Sequence, residues 1–481
     1  MSLDPSTFGT IVSSRFITFT FPNPTLPNPH LHNALLRIAV HDSPTTSNPS
    51  QIAAMLVPPH RESDWTFSTQ PGHLQLLLSS STQLSRLILI GNLPNSPHPT
   101  IYNPDPPILI DPVSRAKLEE NLTPLVFAVL PKSAFPEKGL PEVPFLIYED
   151  DVIRSVVVER CCGPCVGELL VEDVELESNG TGESKCSREF RRRLRFKRTP
   201  NLIQTQVRIY PYSIENGNVG FGFVDLVGAG FMIDKGILVH PYFIPMVAGL
   251  SVISSYIDEK IRYRIKPKAL CLGVGGGALP SFLNSQLGFE VLAVEADDVV
   301  LRLARQYFGL QDGECLSVCV GDAIELIEKL ACQVKNQNAD AFSTCKVENV
   351  GCLDTVDVFD AKFDVIMVDL DSCDATMGIS APPLEFVRKS TLMEARLVLH
   401  ELGILVINVI PPSKSFHETL IHEFQEVFHE LYEIDVGNGE NIVLIAAASP
   451  IASESSVCET SFFAKLKLVI SGAYVDSIRK I

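Results

Sequence analysis

The run Ala269-Leu-Cys-Leu-Gly-Val-Gly-Gly-Gly-Ala-Leu-Pro280 constrains this chain more than any other stretch. An apolar segment that breaks into Gly273, Gly275, Gly276 and Gly277 reads as a buried parallel strand turning sharply into a helix, with backbone free to approach a ligand. A second apolar strand, 291–295, ends on Glu295. That acidic residue follows the first glycine by about twenty positions, the distance at which a carboxylate can accept both hydroxyls of a ribose. The pattern predicts a nucleoside-cofactor site.

Strands are expected at 269–273, 290–294, 315–320, 363–369, 403–409, 430–435 and 441–447, and helices at 278–287, 297–308, 322–334, 384–400 and 415–428. Such alternation implies a doubly wound α/β sheet that takes its ligands outside the carboxyl ends of the strands. Gly437-Asn-Gly439 is turn chemistry for an antiparallel pair, so the last strand runs backwards. A seven-stranded sheet of that kind is the methyltransferase variant of the Rossmann-like architecture. The polar stretch 337–360 reads as a surface insertion.

The rest of the chain divides by texture into three parts: 1–187, 188–244 and 245–481. The first is rich in proline and serine, with apolar runs at 52–57, 84–90 and 125–130 that predict strands of a smaller α/β or mainly β domain. Its acidic end, 168–177, leads into Asn179-Gly-Thr-Gly182, which reads as a linker. The second part alternates with period two around Leu194, Phe196, Val207 and Ile209, and again at 222–227 and 231–233, as a β-hairpin region does. An amphipathic helix over 245–257 opens the third.

A chain of 481 residues with 46% hydrophobic content can build two or three cores. Its net charge of −18 argues against nucleic acid as a general partner, because phosphate binding needs a basic face. No basic leader precedes an apolar core and no run reaches the ~20 apolar residues that span a bilayer. Cys271, Cys315 and Cys319 fall in apolar strands, as buried thiols of a reducing compartment would. A cytoplasmic protein without a membrane anchor is the expectation.

Two more acidic positions sharpen the cofactor reading. Asp322, before Ala323, ends the third strand and could hold an adenine amino group or act as a helix N-cap. Asp369 and Asp371 end the fourth, where a carboxylate can orient an attacking amine. Cys162-Gly-Pro-Cys165 has redox spacing, but 166–172 reads as a strand rather than a helix, which disfavours that role. The seven basic residues of 188–198 read as one charged strand face able to dock an acidic partner. His240 and His400 lack partners at metal spacing and read as structural, so no metal is expected.

These segments carry a resemblance. Leu272 to Gly277, Phe363-Asp-Val-Ile-Met-Val-Asp-Leu-Asp-Ser372, Ala381-Pro-Pro-Leu-Glu-Phe386, Arg191 to Phe196, Asn201-Leu-Ile-Gln-Thr205 and Met246-Val-Ala-Gly-Leu250 resemble the C-terminal half of the elongation factor 1-alpha lysine and N-terminal methyltransferase family. That half lies in the spermidine-synthase-like branch of class I methyltransferases. Met55 to Phe67 and Val143 to Leu146 are similar to the family's central region, whereas its lysine-modifying first domain has no counterpart here.

The resemblance implies S-adenosylmethionine as cofactor and a protein nitrogen as substrate, either an α-amino group or a lysine, with elongation factor 1-alpha as the partner. It also implies homodimers through the hairpin region. Gly273, Gly275 and Gly277 would line the methionine part, Glu295 the ribose, and Asp322 with Ala323 the adenine. Asp369 would lie nearest the methyl donor, with Asp371 beside it. Gln204 matches a glutamine that folds over the cofactor, or is an ordinary strand residue; Asn441 matches a polar residue of the substrate pocket, or ends the Gly437 turn. Polyamine synthases of the same branch carry an acidic residue where this chain has Ala278, which disfavours aminopropyl transfer. A catalytically silent binding module is the other alternative.

Overall fold

The computed structural model describes residues 5–24, 35–44, 51–79, 84–93, 101–102, 112–178, 187–211, 230–338, 362–372, 381–411, 413–451 and 460–481. The stretches expected as a linker at 179–182 and as a strand at 222–227, and most of the insertion at 337–360, lie outside them. Grouped by contact, the chain forms two compact units. One takes in Met1–Arg160 and Glu168–Ile203, the other Cys161–Gly167, Gln204–Tyr212 and Phe231–Ile481.

The first unit holds β1 (Phe16–Pro22), β2 (Leu35–Asp42), β3 (Gln51–Leu56) and β4 (Leu84–Asn92), then β5 (Ile101–Tyr102) and β6 (Phe145–Leu146), with helices α1 (Trp65–Ser68), α2 (Gln70–Ser79) and α3 (Pro112–Ala128). Its five-stranded sheet has the order β1-β2-β4-β3-β6, parallel where β3 meets β4 and β6. Ile38, Ala54 and Ile88 pack on one face with Leu122 and Val126 of α3, while Ala39, Met55 and Leu87 pack on the other with Phe67 and Leu77. The domain is therefore α/β.

The expected strand at 125–130 is not there: most of it is the end of α3. Leu118, Leu122, Leu125, Val126 and Val129 face the core at helical spacing, so the register with the residues upstream decides against the local apolar run.

β7 (Val152–Gly163), β8 (Gly167–Ser178) and β9 (Ser187–Phe196) follow. The acidic segment 168–177 is strand throughout, extending the strand expected at 166–172, and it lies antiparallel to the basic strand, with Glu172 opposite Arg193 and Asp173 opposite Arg192. Arg192 Nε sits 2.7 Å from Asp173, and Arg195 Nε 3.0 Å from Glu172, with Arg195 Nη1 3.2 Å from Asp64. Arg192 and Arg195 thus pair with carboxylates of their own chain. Arg195, Glu172 and Asp173 are buried, where only paired charge is tolerable.

The second unit begins with a hairpin of β10 (Ile203–Pro211) and β11 (Phe231–Ile233). The expected helix at 245–257 is α4 (Phe243–Ala248), a 3-10 turn over Gly249–Ile253, and α5 (Ser254–Arg262). The sheet that follows comprises β12 (Lys268–Leu272), β13 (Glu290–Glu295), β14 (Leu316–Val320), β15 (Phe363–Val368), β16 (Leu399–Val409), β17 (Glu430–Asp435), β18 (Ile442–Ala447) and β19 (Arg479–Lys480). Its helices are α6 (Ala278–Phe282), α7 (Asp298–Tyr307), α8 (Ala323–Asn338), α9 (Lys389–Val398), α10 (Lys414–Gln425) and α11 (Ser461–Val469).

The strand order is β14-β13-β12-β15-β16-β18-β17-β19, parallel from β14 to β16, with β18 antiparallel to both of its neighbours. The first seven positions are the class I methyltransferase arrangement. An eighth strand of two residues, β19, extends it along β17 and was not foreseen. Cores lie on both sheet faces, one around Met246, Cys271 and Phe282, the other around Ile366, Phe386 and Phe424. That two-sided burial is why the strands read as continuous apolar runs. Of the three cysteines expected as buried thiols, Cys271 is buried and free, Cys315 is free and half-buried, and Cys319 is disulfide-bonded. Among the described residues no helix is long and apolar enough to cross a membrane.

Candidate active site

β12 delivers its chain end into the glycine turn. Gly273 has φ +85°, and a Cβ there would stand 2.1 Å from the carbonyl oxygen of Asp369, so the two strand ends approach more closely than any side chain allows. Gly277, at φ +78°, caps α6. Gly273→Ala is expected to lower stability by on the order of 3 kcal/mol, from the left-handed backbone and the clash combined, read as a fall in the urea midpoint. An unchanged midpoint would mean that the turn yields without cost.

Glu295 closes β13 and turns back to this loop. Its Oε2 accepts the N–H groups of Val274 and Gly275, both at 3.1 Å, and Oε1 accepts the N–H of Asp297 at 3.2 Å. Burial pushes its carboxyl above the usual range, against the pull of these amides. A carboxylate has about four acceptor sites, so three are in use, and holding two ribose hydroxyls requires Glu295 to release at least one loop amide. The donor set fits an adenosyl group on that condition.

Asp369 follows β15 at the centre of a hydrogen-bond network. Tyr242 Oη donates to Oδ2 at 3.1 Å and Asn408 Nδ2 to Oδ1 at 3.3 Å. Burial is the chief reason that its carboxyl is pushed up to about 7; Tyr242 and Asn408 hold it down, while the negative charges of Asp371 and Glu295 add to the rise. Burial and Asp369 also drive the Tyr242 phenol well above its ordinary value. Asp371 is half-buried beside this network.

Asn441 is buried just ahead of β18, and its Nδ2 donates to Asn408 Oδ1 at 2.8 Å. It also ends the Gly437 turn, as one of its two readings had it, where its N–H donates to Asn438 Oδ1. Asp322 is exposed and caps α8, its Oδ1 accepting from Ile324 and Glu325 at 2.8 and 3.0 Å; Ala323 is the buried first residue of that helix. Gln204 is half-buried at the start of β10, with its carbonyl oxygen 3.8 Å from where a Gly275 Cβ would sit.

The glycine turn, Glu295, Asp322, Asp369 and Asp371 thus stand at the carboxyl ends of four adjacent parallel strands. Sequence reasoning missed Tyr242, Asn408 and Asp297. Asn408 alone left a signal, as an amide inside the apolar run 404–409. Asp297, wholly buried, accepts the N–H groups of Cys165 and Val166 on Oδ2 and caps α7 through Oδ1. The Cys162-Gly-Pro-Cys165 motif therefore spans the end of β7 and the turn ahead of β8, with no helix after it. His240 packs edge-on against Tyr242, and His400 stacks on Tyr256. Among the described residues no cluster of three or more metal-ligating side chains occurs.

No protein-family profile matches the chain. Curated proteins do: it is 26% identical to a human protein over 425 residues, 85% of this chain and 53% of that one. Its curated relatives are eEF1A lysine and N-terminal methyltransferases. The zebrafish relative (Danio rerio) is likewise 26% identical, over 86% of this chain and 53% of its own, and a Drosophila melanogaster homologue is 24% identical over 82% and 48%. The chain spans about half the length of the curated relatives that it matches. Among solved structures, human methyltransferase-like protein 13 in complex with SAH is 24% identical, covering 48% of this chain and 93% of that one at a TM-score of 0.38. A probable spermidine synthase from Corynebacterium glutamicum is 14% identical, over 67% and 89%, at a TM-score of 0.39.

Proposed function

We propose that the chain is an S-adenosylmethionine-dependent methyltransferase acting on a protein nitrogen, with elongation factor 1-alpha as its substrate. The observation that carries this is the convergence of the left-handed glycine turn, Glu295 and a desolvated Asp369 at adjacent strand ends. Likeness to curated relatives named for methylation of eEF1A supports the choice of substrate. Glu295 would take the ribose hydroxyls, the free oxygen of Asp322 the adenine amino group, and the glycine turn the amino-acid tail, under Gln204. The cofactor would supply a methyl group on a positively charged sulfur, already a good leaving group.

What remains for the protein is to present a neutral amine in line and to exclude water. An incoming ammonium must lose a proton first, and a carboxyl near 7 can accept it at cellular pH. Asp369 would take that proton on the oxygen facing the amine while Tyr242 and Asn408 keep the carboxylate oriented, with Asp371 favouring the approach of a cation. The reading extends to a cytoplasmic protein and to homodimers. Incubating the full chain with tritiated cofactor and purified elongation factor 1-alpha is expected to label the factor on an α-amino group or a lysine. Binding of cofactor without labelling of any cell-extract band would instead favour the silent binding module.

A further inference from the structure

Asp369 is gripped by an amide chain whose far end lies in the exposed turn between β17 and β18. Asn438 Nδ2 donates to Asn441 Oδ1 at 2.8 Å, Asn441 Nδ2 to Asn408 Oδ1 at 2.8 Å, and Asn408 Nδ2 to Asp369 Oδ1 at 3.3 Å. A side-chain amide can be turned over, exchanging donor for acceptor, so such a chain has two polarities. The outer end settles which is adopted whether or not Asp369 carries a proton. The N–H groups of Glu440 and Asn441 point at Asn438 Oδ1 at 3.1 and 2.9 Å, and backbone N–H groups can only donate. The atom facing them must be oxygen, the Asn438 nitrogen must face Asn441, and each later amide follows suit.

We infer that Asn438 is a positioning residue: the turn holding it fixes the polarity of the Asn441–Asn408 relay, so that a donor always faces Asp369 and its ionised form is the one favoured. The inference rests on the proposed role of Asp369 for its consequence in catalysis, but not for the relay itself. The other groups bearing on Asp369 are Tyr242 ahead of α4, Asp371 after β15, Glu295 on β13 and Cys271 on β12. Tyr242, Glu295 and Cys271 stand on other elements, so a neutral change at Asn438 reaches Asp369 through the amides.

Two substitutions separate this from a charge effect. Asn438→Asp keeps an oxygen for the turn N–H groups and offers its other oxygen to Asn441 Nδ2, which reverses the relay and turns Asn408 Oδ1 towards Asp369. Asn438→Ser keeps an acceptor but is too short to reach Asn441, and so frees the relay without adding charge. In the full-length protein carrying 13C-labelled aspartate carboxyls, with the Asp369 signal assigned by its loss in Asp369→Asn, the midpoint of Asp369 titration is expected to rise by about 0.5 pH unit in Asn438→Ser and about 1 or more in Asn438→Asp. The acid limb of methyl transfer should move by the same amounts. A native midpoint in both variants, or a rise in the aspartate variant alone, overturns the relay. Because the carboxyl signal is read without turnover, a shifted midpoint in a protein that methylates nothing would leave the relay standing and sink the proposed function instead.

Discussion

Asp369→Asn is expected to reduce methyl transfer by about a hundredfold or more while leaving cofactor affinity within a few-fold of native. The asparagine fills the same space and can still accept from Tyr242, but it cannot take a proton. Turnover measured beside calorimetric cofactor binding separates the two effects, and near-native turnover would remove Asp369 from the chemistry. Stability carries a second signature. The carboxyl is held near 7 in the folded protein against an ordinary 3.8, so the native state binds the extra proton between those values. Stability therefore falls as pH rises through that window, and the ionised form costs on the order of 2–4 kcal/mol above it. The stability of Asp369→Asn relative to native should improve from pH 4 to pH 8. A difference that stays flat over this range would mean that burial does not raise the carboxyl.

Glu295→Ala is expected to weaken cofactor binding by on the order of a hundredfold, since two hydroxyl bonds to a charged acceptor contribute about 3 kcal/mol together. The substitution also deprives the N–H groups of Val274, Gly275 and Asp297 of their acceptor, so a control is needed. Glu295→Gln keeps one oxygen for the loop and can still bond a hydroxyl, and should lose about tenfold. Calorimetry with S-adenosylhomocysteine reads both. Native affinity in the alanine variant would place the ribose elsewhere.

The parallel strands and the glycine turn were legible because each sets its own local pattern: apolar runs buried on both faces, and glycines where φ is positive. The placement of Glu295, Asp322, Asp369 and Asp371 at strand ends was legible because each directly follows an apolar run. What escaped was decided at long range. Tyr242 reaches Asp369 from 127 residues away, and nothing around Tyr242 marks it out. The pairing of 168–177 with 191–196 escaped because each segment was weighed alone. Set opposite each other they neutralise, and neither needs solvent. Residues 125–130 misled in the reverse way, a local apolar run overruled by the helical spacing of residues upstream. Arg479–Lys480 is too short and too charged to signal a strand, and it forms one only because the edge of β17 is there to receive it.

The paired ladder of β8 and β9 also bears on where the polypeptide can be shortened. The segment between 178 and 187 looks like a natural place to cut, since acidic texture ends there and a basic strand starts. A fragment beginning at that point would carry Arg192 and Arg195 away from Asp173, Glu172 and Asp64. Such a fragment would lose the partners and the covering strand at once, leaving a row of unpaired arginines on an open strand edge. Any truncation that keeps Arg195 has to retain both the acidic strand and the loop bearing Asp64, which makes the first 180 residues part of what the basic strand needs to fold.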